Sequence, residues 1–248
     1  MRSRDGPLTV VVPVYQEGGN LPRFWDRLAP WLPPASRVLL VHDRDDDDTL
    51  PPARALQAAG APITLVRNDG RGARSAILTG LRAAVCGPAV VMMADLSDDP
   101  AALPAMLDAY RAGADVVVAS RYARGGSQRG GPWLKGQLAR WGGRSLRWLA
   151  RFPASDATNS FRLYDAALVR GLSPGAEGGF ELAFEITLAA WRAGRRVAEV
   201  PTHWSGRTTG VSRFQLVRWL PRYARLWARA LLHGVAGPPR GPAVERPR

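Results

Sequence analysis

Apolar and polar positions in the first half of the chain form short apolar runs that alternate with stretches of helical periodicity. This arrangement is typical of parallel strands joined by crossover helices. The pattern predicts strands at residues 8–14, 37–42, 63–67, 89–93 and 116–119, and helices at residues 20–32, 50–59, 74–85 and 101–112. We therefore expect an α/β fold, a doubly wound, Rossmann-like and mostly parallel sheet flanked by helices.

Polar loops follow four of the predicted strands. They are residues 13–17, 43–48, 68–72 and 95–99. Because the carboxyl ends of parallel strands meet at one edge of a sheet, we expect the four loops to converge there. Any one of them alone could be a solvated turn, but their convergence favours an active site.

The loop after the fourth predicted strand carries three carboxylates, Asp95, Asp98 and Asp99. Carboxylate oxygens are hard ligands, and Mg²⁺ or Mn²⁺ is commonly held by one or two of them together with substrate phosphates. The alternative is a solvated turn that begins a helix near Pro100, with Ser97 or Asp98 as its cap. The motif by itself leaves both interpretations open.

The other loops offer contacts for a nucleotide. Asp43 is placed to accept an N–H of the base, and Tyr15 to stack on or hydrogen-bond the ribose. Two glycines would let the backbone approach phosphate closely, while two arginines supply positive charge; these are Gly70, Gly72, Arg71 and Arg74. Within the acidic run 45–48, we expect two residues to be merely solvated.

Composition restricts the partners of this chain. The net charge of +13 over 248 residues points to an anionic partner, namely a nucleic acid, a phosphorylated substrate or an acidic lipid surface. No RNA-binding signature or helix-turn-helix is present, which argues against nucleic acid. The single cysteine, Cys86, excludes an internal disulfide and a cysteine zinc site, and we expect it to be buried in a protein of the reducing cytoplasm.

Membrane contact, if any, is expected to be peripheral. No run of apolar residues approaches the roughly 18 needed for a transmembrane segment. Residues 131–152 and a predicted helix at 214–232 nevertheless combine aromatic residues with arginines, and in the helix four arginines share one face, Arg218, Arg222, Arg225 and Arg229. Such a helix suits an anionic membrane interface on the inner face of the membrane. It equally suits packing on the core with a solvated arginine face.

Seven motifs in order resemble those of family 2, GT-A type glycosyltransferases, in the branch that includes dolichol-phosphate mannose synthase and other polyprenyl-phosphate glycosyltransferases. The resemblance runs from residue 8 to residue 213. The motifs are VVPVYQE at 11–17, GRG at 70–72, ADLSDDP at 94–100, ASRY at 119–122 with Gly125 and Gly126, DATNSFR at 156–162, EVP at 199–201 and RTTGVSR at 207–213.

The resemblance implies a metal-dependent, inverting transfer of a sugar from a UDP- or GDP-linked donor to a polyprenyl (dolichyl-type) phosphate. The family motif Asp-x-Asp, followed two positions on by Gln, appears here with Met93 in place of the first Asp and Ser97 in place of Gln. Asp95 therefore carries over directly, and Ser97 or Asp98 is proposed to complete the Mg²⁺ or Mn²⁺ site. The loss at Met93 leaves a non-catalytic nucleotide-sugar or membrane-binding module as an alternative.

These interpretations assign a role to each candidate residue. Nucleotide binding falls to Pro13, Tyr15, Glu17, Asp43, Gly70, Arg71, Arg74, Ala94 and Asp95. Acceptor binding falls to Arg121, Ser160, Arg162 and Ser212, and catalytic roles to Asp95, Arg121, Arg162, Glu181, Arg207 and Arg213. The arginines match family positions associated with phosphates.

The acceptor decides whether a general base is needed. A phosphate is already anionic near neutral pH and needs positioning, whereas a soluble or saccharide hydroxyl acceptor needs a base, for which Glu181, Glu185 or an aspartate of the 95–99 loop is a candidate. We expect a catalytic domain at 1–213, an amphipathic helix at 214–233 and a disordered Gly/Pro-rich tail at 234–248.

Overall fold

The fold is seen in a computed structural model, which describes residues 4–172, 179, 181–206 and 216–236. Each strand and helix predicted for the first half is present. The strands are β1 (Thr9–Val14), β2 (Arg37–His42), β3 (Ile63–Arg67), β4 (Pro88–Val91) and β5 (Val116–Ser120). The helices are α1 (Leu21–Leu28), α2 (Leu50–Ala58), α3 (Gly72–Ala83) and α4 (Leu103–Arg111).

Prolines explain where helix ends differ from prediction. The first helix was expected to reach residue 32, but α1 ends at Leu28 and continues as a 3-10 turn, Ala29–Trp31, that contains Pro30. Likewise, a 3-10 turn at Pro100–Ala102 precedes α4. Proline lacks the N–H that an α-helix needs in its interior, so helices stop or tighten at these positions.

The second half of the chain adds shorter strands and longer helices. The strands are β6 (Ser127–Arg129), β7 (Arg162–Asp165), β8 (Val197–Pro201) and β9 (His203–Ser205). The helices are α5 (Trp133–Ala150), α6 (Ala166–Arg170), α7 (Leu182–Arg192) and α8 (Leu216–Ala236). The predicted C-terminal helix is thus present and continues to Ala236, so the first three residues of the predicted tail are helical and not disordered. Residues 214–215 and 237–248 lie outside the described residues.

Seven strands form one mixed sheet in the order β3-β2-β1-β4-β7-β5-β8. β1 lies between two parallel neighbours, with Val10 opposite Val38 on one side and Val90 on the other. β7 is antiparallel to both β4 and β5. The sheet is therefore mostly parallel, as predicted, with one antiparallel strand inserted near its centre; β6 and β9 pair separately.

Apolar layers cover both faces of the sheet. One layer receives α1, α2 and α4, and the other receives α3 and the helices α5 to α8. Leu226 and Ala230 of α8 are buried in the second layer, so this helix packs on the core through its apolar face. The expectation that Cys86 is buried was wrong, because it is exposed in the turn before β4.

No helix among the described residues is both long enough and apolar enough to cross a membrane. The longest, α8, contains arginines along its length and a proline, Pro221.

Two helical glycines provide a test of the packing of α3 on the sheet. A Cβ at Gly80 would lie 2.3 Å from Val11 Cγ1 and 3.0 Å from Val41 Cγ2, whereas one at Gly142 of α5 would meet nothing within 4 Å. We expect Gly80→Ala to lower the free energy of unfolding by about 1–3 kcal/mol through overpacking. In urea titrations the control Gly142→Ala should be stabilising by up to about 1 kcal/mol; equal effects of the two changes would contradict the close packing of α3.

Candidate active site

The loops predicted to converge do so, and they surround a cavity of about 1520 Å³ at the carboxyl ends of β1, β2 and β4. Its wall includes Tyr15, Asp43, Arg71 and Asp95, one residue from each predicted loop. Sites for a single small ligand typically occupy roughly 300–1,000 Å³. The cavity is therefore large enough for two ligands side by side.

Carboxylates of the acidic run fix the loop after β1. Both oxygens of Asp47 lie 3.1 Å from the backbone nitrogen of Gln16, and Asp48 accepts from that of Gly18 at 3.0 Å. Gln16 has a φ of 54°, a left-handed conformation that a non-glycine residue adopts at some cost. Asp45 and Asp46 are solvent-exposed and paired with arginines. Asp48 is exposed as well, so three residues of the run face solvent, one more than expected.

Asp43 joins the loops after β2 and β3. One of its carboxylate oxygens accepts from the side-chain amide of Asn68 and the other accepts from the backbone nitrogen of Gly72 at 2.7 Å. Gly72 begins α3 with a φ of +79°, which favours glycine. Asp43 thus has a structural role that the sequence did not reveal, and its contact with a base stays a prediction.

The metal loop is folded tightly around its own carboxylates. Asp95 accepts from the backbone and the hydroxyl of Ser97 at 3.1 and 2.5 Å, and Asp98 accepts from the backbone of Met93 at 3.1 Å. Leu96, between them, has a φ of 64°, and its carbonyl accepts from Arg27 at 2.8 Å. Asp99 points away and caps the 3-10 turn that starts at Pro100 by accepting from Ala101. The predicted helix start near Pro100 is therefore present, but its cap is Asp99 and not Ser97 or Asp98.

The donor set of this loop fits a small divalent cation. Asp95, Ser97 and Asp98 are buried and line the cavity. Burial, together with the charge of Asp95, raises the pKa of Asp98 to about 7, a cost that a cation would relieve. The described residues contain no cluster of three or more His, Cys, Asp or Glu, so further ligands would come from substrate phosphates and water, as is usual for Mg²⁺.

Arg121 reaches the cavity from the end of β5 with one edge of its guanidinium held by Asp156. Its Nε and Nη2 donate to the two carboxylate oxygens at 2.7 and 2.8 Å, and Nη2 also donates to Thr158 Oγ1 at 2.6 Å. Burial disfavours the charged form of both partners, but each charge stabilises the other. The pKa of Arg121 is consequently raised, and that of Asp156 lowered.

Arg162, also predicted to touch phosphate, is fully buried and does not line the cavity. Its guanidinium donates to the carbonyls of Asn159, Ala183 and Asp156 at 2.7–2.9 Å and to the hydroxyl of Thr187. Burial lowers the pKa of Arg162. This is a correction to the expectation of direct acceptor contact, because the donors are already used to join the 156–159 turn to α7.

The two candidate bases are engaged in ion pairs. Glu181, at the start of α7, is buried, accepts from the backbone of Gly179 at 3.1 Å, and pairs with Arg222 of α8 at 3.5 Å. Glu185 pairs with Arg74 at 2.8 Å. Neither glutamate lines the cavity, so the described structure does not place either one as a general base.

The remaining candidates divide into three groups. Those that line the cavity are Pro13, Tyr15, Glu17, Asp43, Arg71, Arg74, Asp95, Ser97, Asp98, Arg121 and Ser160. Ala94 and Gly70 do not line it, although Gly70 donates its backbone N–H to Asn68 within the same loop. Arg207, Ser212 and Arg213, with the rest of their predicted loop, lie outside the described residues.

The cavity also has an apolar arm that the sequence did not reveal. It extends between α5 and α8, where its lining is made of small and apolar side chains: Gly136, Leu138, Ala139, Gly142, Leu146, Leu220, Ala224 and Trp227. Trp204 of β9 lies at the junction, with the Arg121 guanidinium 5.9 Å from its ring. Only the pairing of two helices distant in sequence creates this arm.

A mostly parallel sheet with an acidic loop and arginines around a nucleotide-sized cavity defines the GT-A class of glycosyltransferase. Residues 9–172 match Glycosyl transferase family 2, and the chain belongs to this family. This confirms the resemblance and the expected enzyme class.

Relatives and solved structures agree with this assignment. The chain is 32% identical over 213 residues to the polyprenol monophosphomannose synthase of Mycolicibacterium smegmatis, covering 82% of this chain and 79% of that protein. It is 30% identical over 209 residues to the undecaprenyl-phosphate mannosyltransferase of Micrococcus luteus, covering 82% and 85%. The fold is similar to that of glucosyl-3-phosphoglycerate synthase from Mycobacterium tuberculosis, solved with Mn²⁺ and UDP, with a TM-score of 0.62 at 16% identity over 96% and 82% of the two chains.

The three aspartates of the metal loop give a direct test of the proposed ligands. We expect Asp95→Asn and Asp98→Asn each to weaken Mn²⁺-dependent nucleotide binding by about 10–100-fold, because each removes a charged oxygen donor. Calorimetric titration of UDP and GDP, with and without Mn²⁺, measures this. The matched control is Asp99→Asn, which preserves the cap on Ala101; equal losses in all three variants would contradict the assignment.

Proposed function

We propose that the protein transfers a hexose, with inversion, from a nucleotide diphosphate sugar to a polyprenyl phosphate. The observation that carries this proposal is the cavity in two parts, one charged and one apolar. A sugar donor and a water-soluble acceptor would need only the charged part of the cavity. The apolar arm between α5 and α8 suits an isoprenoid chain whose phosphate lies near Arg121.

The charged part suits the donor. Asp43, Tyr15 and Arg71 line its outer end, and the metal loop lies at its inner end. Asp95 with Ser97 or Asp98 would hold Mg²⁺ or Mn²⁺, and when bound the ion would offset the negative charge that develops on the departing diphosphate. The mannosyltransferase relatives and the Mn²⁺-bound structural neighbour support this proposal.

The reaction needs little acid–base chemistry from the protein. An oxygen of the acceptor phosphate attacks the anomeric carbon, and the bond from that carbon to the diphosphate oxygen breaks, which releases the nucleoside diphosphate. Because the attacking oxygen is already anionic, its position matters more than its deprotonation. The engagement of Glu181 and Glu185 in ion pairs is consistent with a phosphate acceptor rather than a hydroxyl.

We also propose that the outer face of α5 rests on an anionic membrane surface. Its exposed apolar residues recur at helical spacing, and its arginines lie beside them; the apolar residues are Trp133, Leu134, Leu138, Trp141, Trp148 and Leu149. On α8, by contrast, Leu226 and Ala230 face the core. The face of α5 borders the apolar arm, so an acceptor could pass from the bilayer into the site.

The transfer reaction itself is the first test. Purified protein with undecaprenyl phosphate and Mn²⁺ is expected to form a glycolipid from one of the radiolabelled donors GDP-mannose, UDP-glucose or GDP-glucose, and not without a divalent cation. Transfer to a water-soluble saccharide but never to the prenyl phosphate would contradict the lipid acceptor. Donor binding without turnover on any acceptor would favour the non-catalytic alternative.

Membrane docking is testable with tryptophan variants. We expect Trp141→Ser with Trp148→Ser to reduce flotation with anionic vesicles by roughly tenfold or more, because each indole loses its apolar burial. Trp31→Ser is the matched control, since Trp31 is also exposed but follows α1 on the other side of the sheet. Equal flotation of the wild type and the double variant would exclude the α5 face as the docking surface.

A further inference from the structure

Two charged residues near Arg121, Asp156 and Arg162, do not line the cavity. We infer that Asp156 and Arg162 are positioning residues, which fix the Arg121 guanidinium so that only its Nη1 amino group is presented to the acceptor phosphate. This inference rests on the proposed function for the identity of the anion, but the arrangement of the three side chains is independent of it.

Hydrogen bonds to Asp156 and Thr158 leave one amino group of Arg121 available. Asp156 occupies the edge formed by Nε and Nη2, and Thr158 accepts a second N–H from Nη2. With the residues that the structure describes, Nη1 makes no hydrogen bond. A phosphate arriving in the cavity would therefore meet one amino group, since the forked edge used for two-point binding is already taken.

The carboxylate of Asp156 is completely buried. Besides the side chain of Arg121, it accepts from the backbone N–H groups of Arg121, Thr158 and Asn159 at 3.1–3.2 Å. A buried carboxylate with this many donors has one defined orientation. The guanidinium that it grips is fixed in the same way, and the ring of Tyr122 lies 5.0 Å from it.

Arg162 attaches this turn to the core. It donates to the carbonyls of Asp156 and Asn159, and from its other side to Ala183 and Thr187 of α7. The turn that carries Asp156 is thereby attached to a helix of the core. Arg162 thus acts on the acceptor through Asp156 and Arg121, and this explains a buried arginine at a position expected to bind phosphate.

The charges of the cluster favour an anion at Arg121. The largely buried guanidinium of Arg121 and the fully buried one of Arg162 lie near a single carboxylate in this cluster, that of Asp156, because the partners of Arg162 are carbonyls and a hydroxyl. Asp98 of the metal loop also interacts electrostatically with Arg121, and a bound cation would offset that negative charge. The excess positive charge lies next to the cavity, where water is partly excluded, so its attraction for phosphate is strong. A free arginine at the surface would offer the same charge without a defined direction.

Positioning predicts a change in kcat rather than in acceptor KM. In Asp156→Asn, Arg121 gains freedom and can still bind phosphate, but the attacking oxygen is misplaced; kcat should fall about 100-fold while the KM values for donor and acceptor stay within about threefold. Thr158→Val should lower kcat roughly tenfold by removing one acceptor of Nη2. Thr158→Ser keeps the hydroxyl and should restore most of the activity.

Asp115→Asn is the matched control, because it breaks another partly buried Asp–Arg pair, that with Arg4, away from the cavity. Its kinetic constants should equal those of the wild type. An unchanged kcat in Asp156→Asn, or the same loss in Thr158→Ser as in Thr158→Val, would overturn the inference. So would a tenfold rise of acceptor KM with kcat preserved, which indicates a role in affinity alone.

A readout without turnover separates this inference from the proposed function. In protein labelled with ¹⁵N-arginine, the Nε–H of Arg121, assigned with Arg121→Lys, should exchange slowly with water and shift when geranyl phosphate is added. Fast exchange is expected in Asp156→Asn and slow exchange in Asp115→Asn. If these exchange rates and the shift are found in a wild type that is inactive, the transferase proposal is rejected and the positioning of Arg121 is kept. Fast exchange in the wild type, or no shift with geranyl phosphate, would overturn the positioning of Arg121.

Discussion

Carboxylates that accept backbone N–H groups hold the site of this enzyme together. Loops at the carboxyl edge of a parallel sheet leave the chain with unpaired donors, and these must be satisfied where water is scarce. Asp47 accepts such a hydrogen bond from the loop after β1, Asp43 accepts one from the start of α3, and Asp156 accepts one from the turn before β7. The acidic residues near the cavity are therefore divided between those that build its wall and the pair Asp95 and Asp98, which we propose as ligands of a cation.

The same constraint explains why charge accumulates at one edge. Each wall carboxylate brings loops from different strands together, and arginines then neutralise the excess, as Arg121 does for Asp156. The resulting environment is polar and partly desolvated, and its charged groups have fixed orientations. Electrostatic stabilisation of a departing diphosphate is most effective under these conditions. The apolar arm between α5 and α8 supplies the opposite environment beside it, and the contact between the two environments is what suits an amphiphilic acceptor.

The apolar pattern was sufficient to predict the first five strands and four helices, because each is a continuous run or has a clear helical period. It did not predict β7, since Arg162–Asp165 is four residues long and its place between β4 and β5 depends on pairing with strands far away in the chain. The converging loops pointed to Asp43 and Asp95, and the family motif to Arg121, and all three line the cavity. The motif could not show that Arg162 points inward or that Asp156 holds Arg121, because both facts depend on burial and on partners up to 37 positions away.

A crystal structure with Mn²⁺ and the nucleoside diphosphate is the most direct test of the proposed metal and nucleotide site, because the anomalous signal of manganese locates the ion independently of the protein atoms. We expect one peak at the end of β4, within coordination distance of an Asp95 oxygen and of Ser97 or Asp98, with the diphosphate as a further ligand and the base toward Asp43. A peak held by Asp99 or by the exposed Asp45 and Asp46, or a nucleotide bound away from this edge, would contradict it.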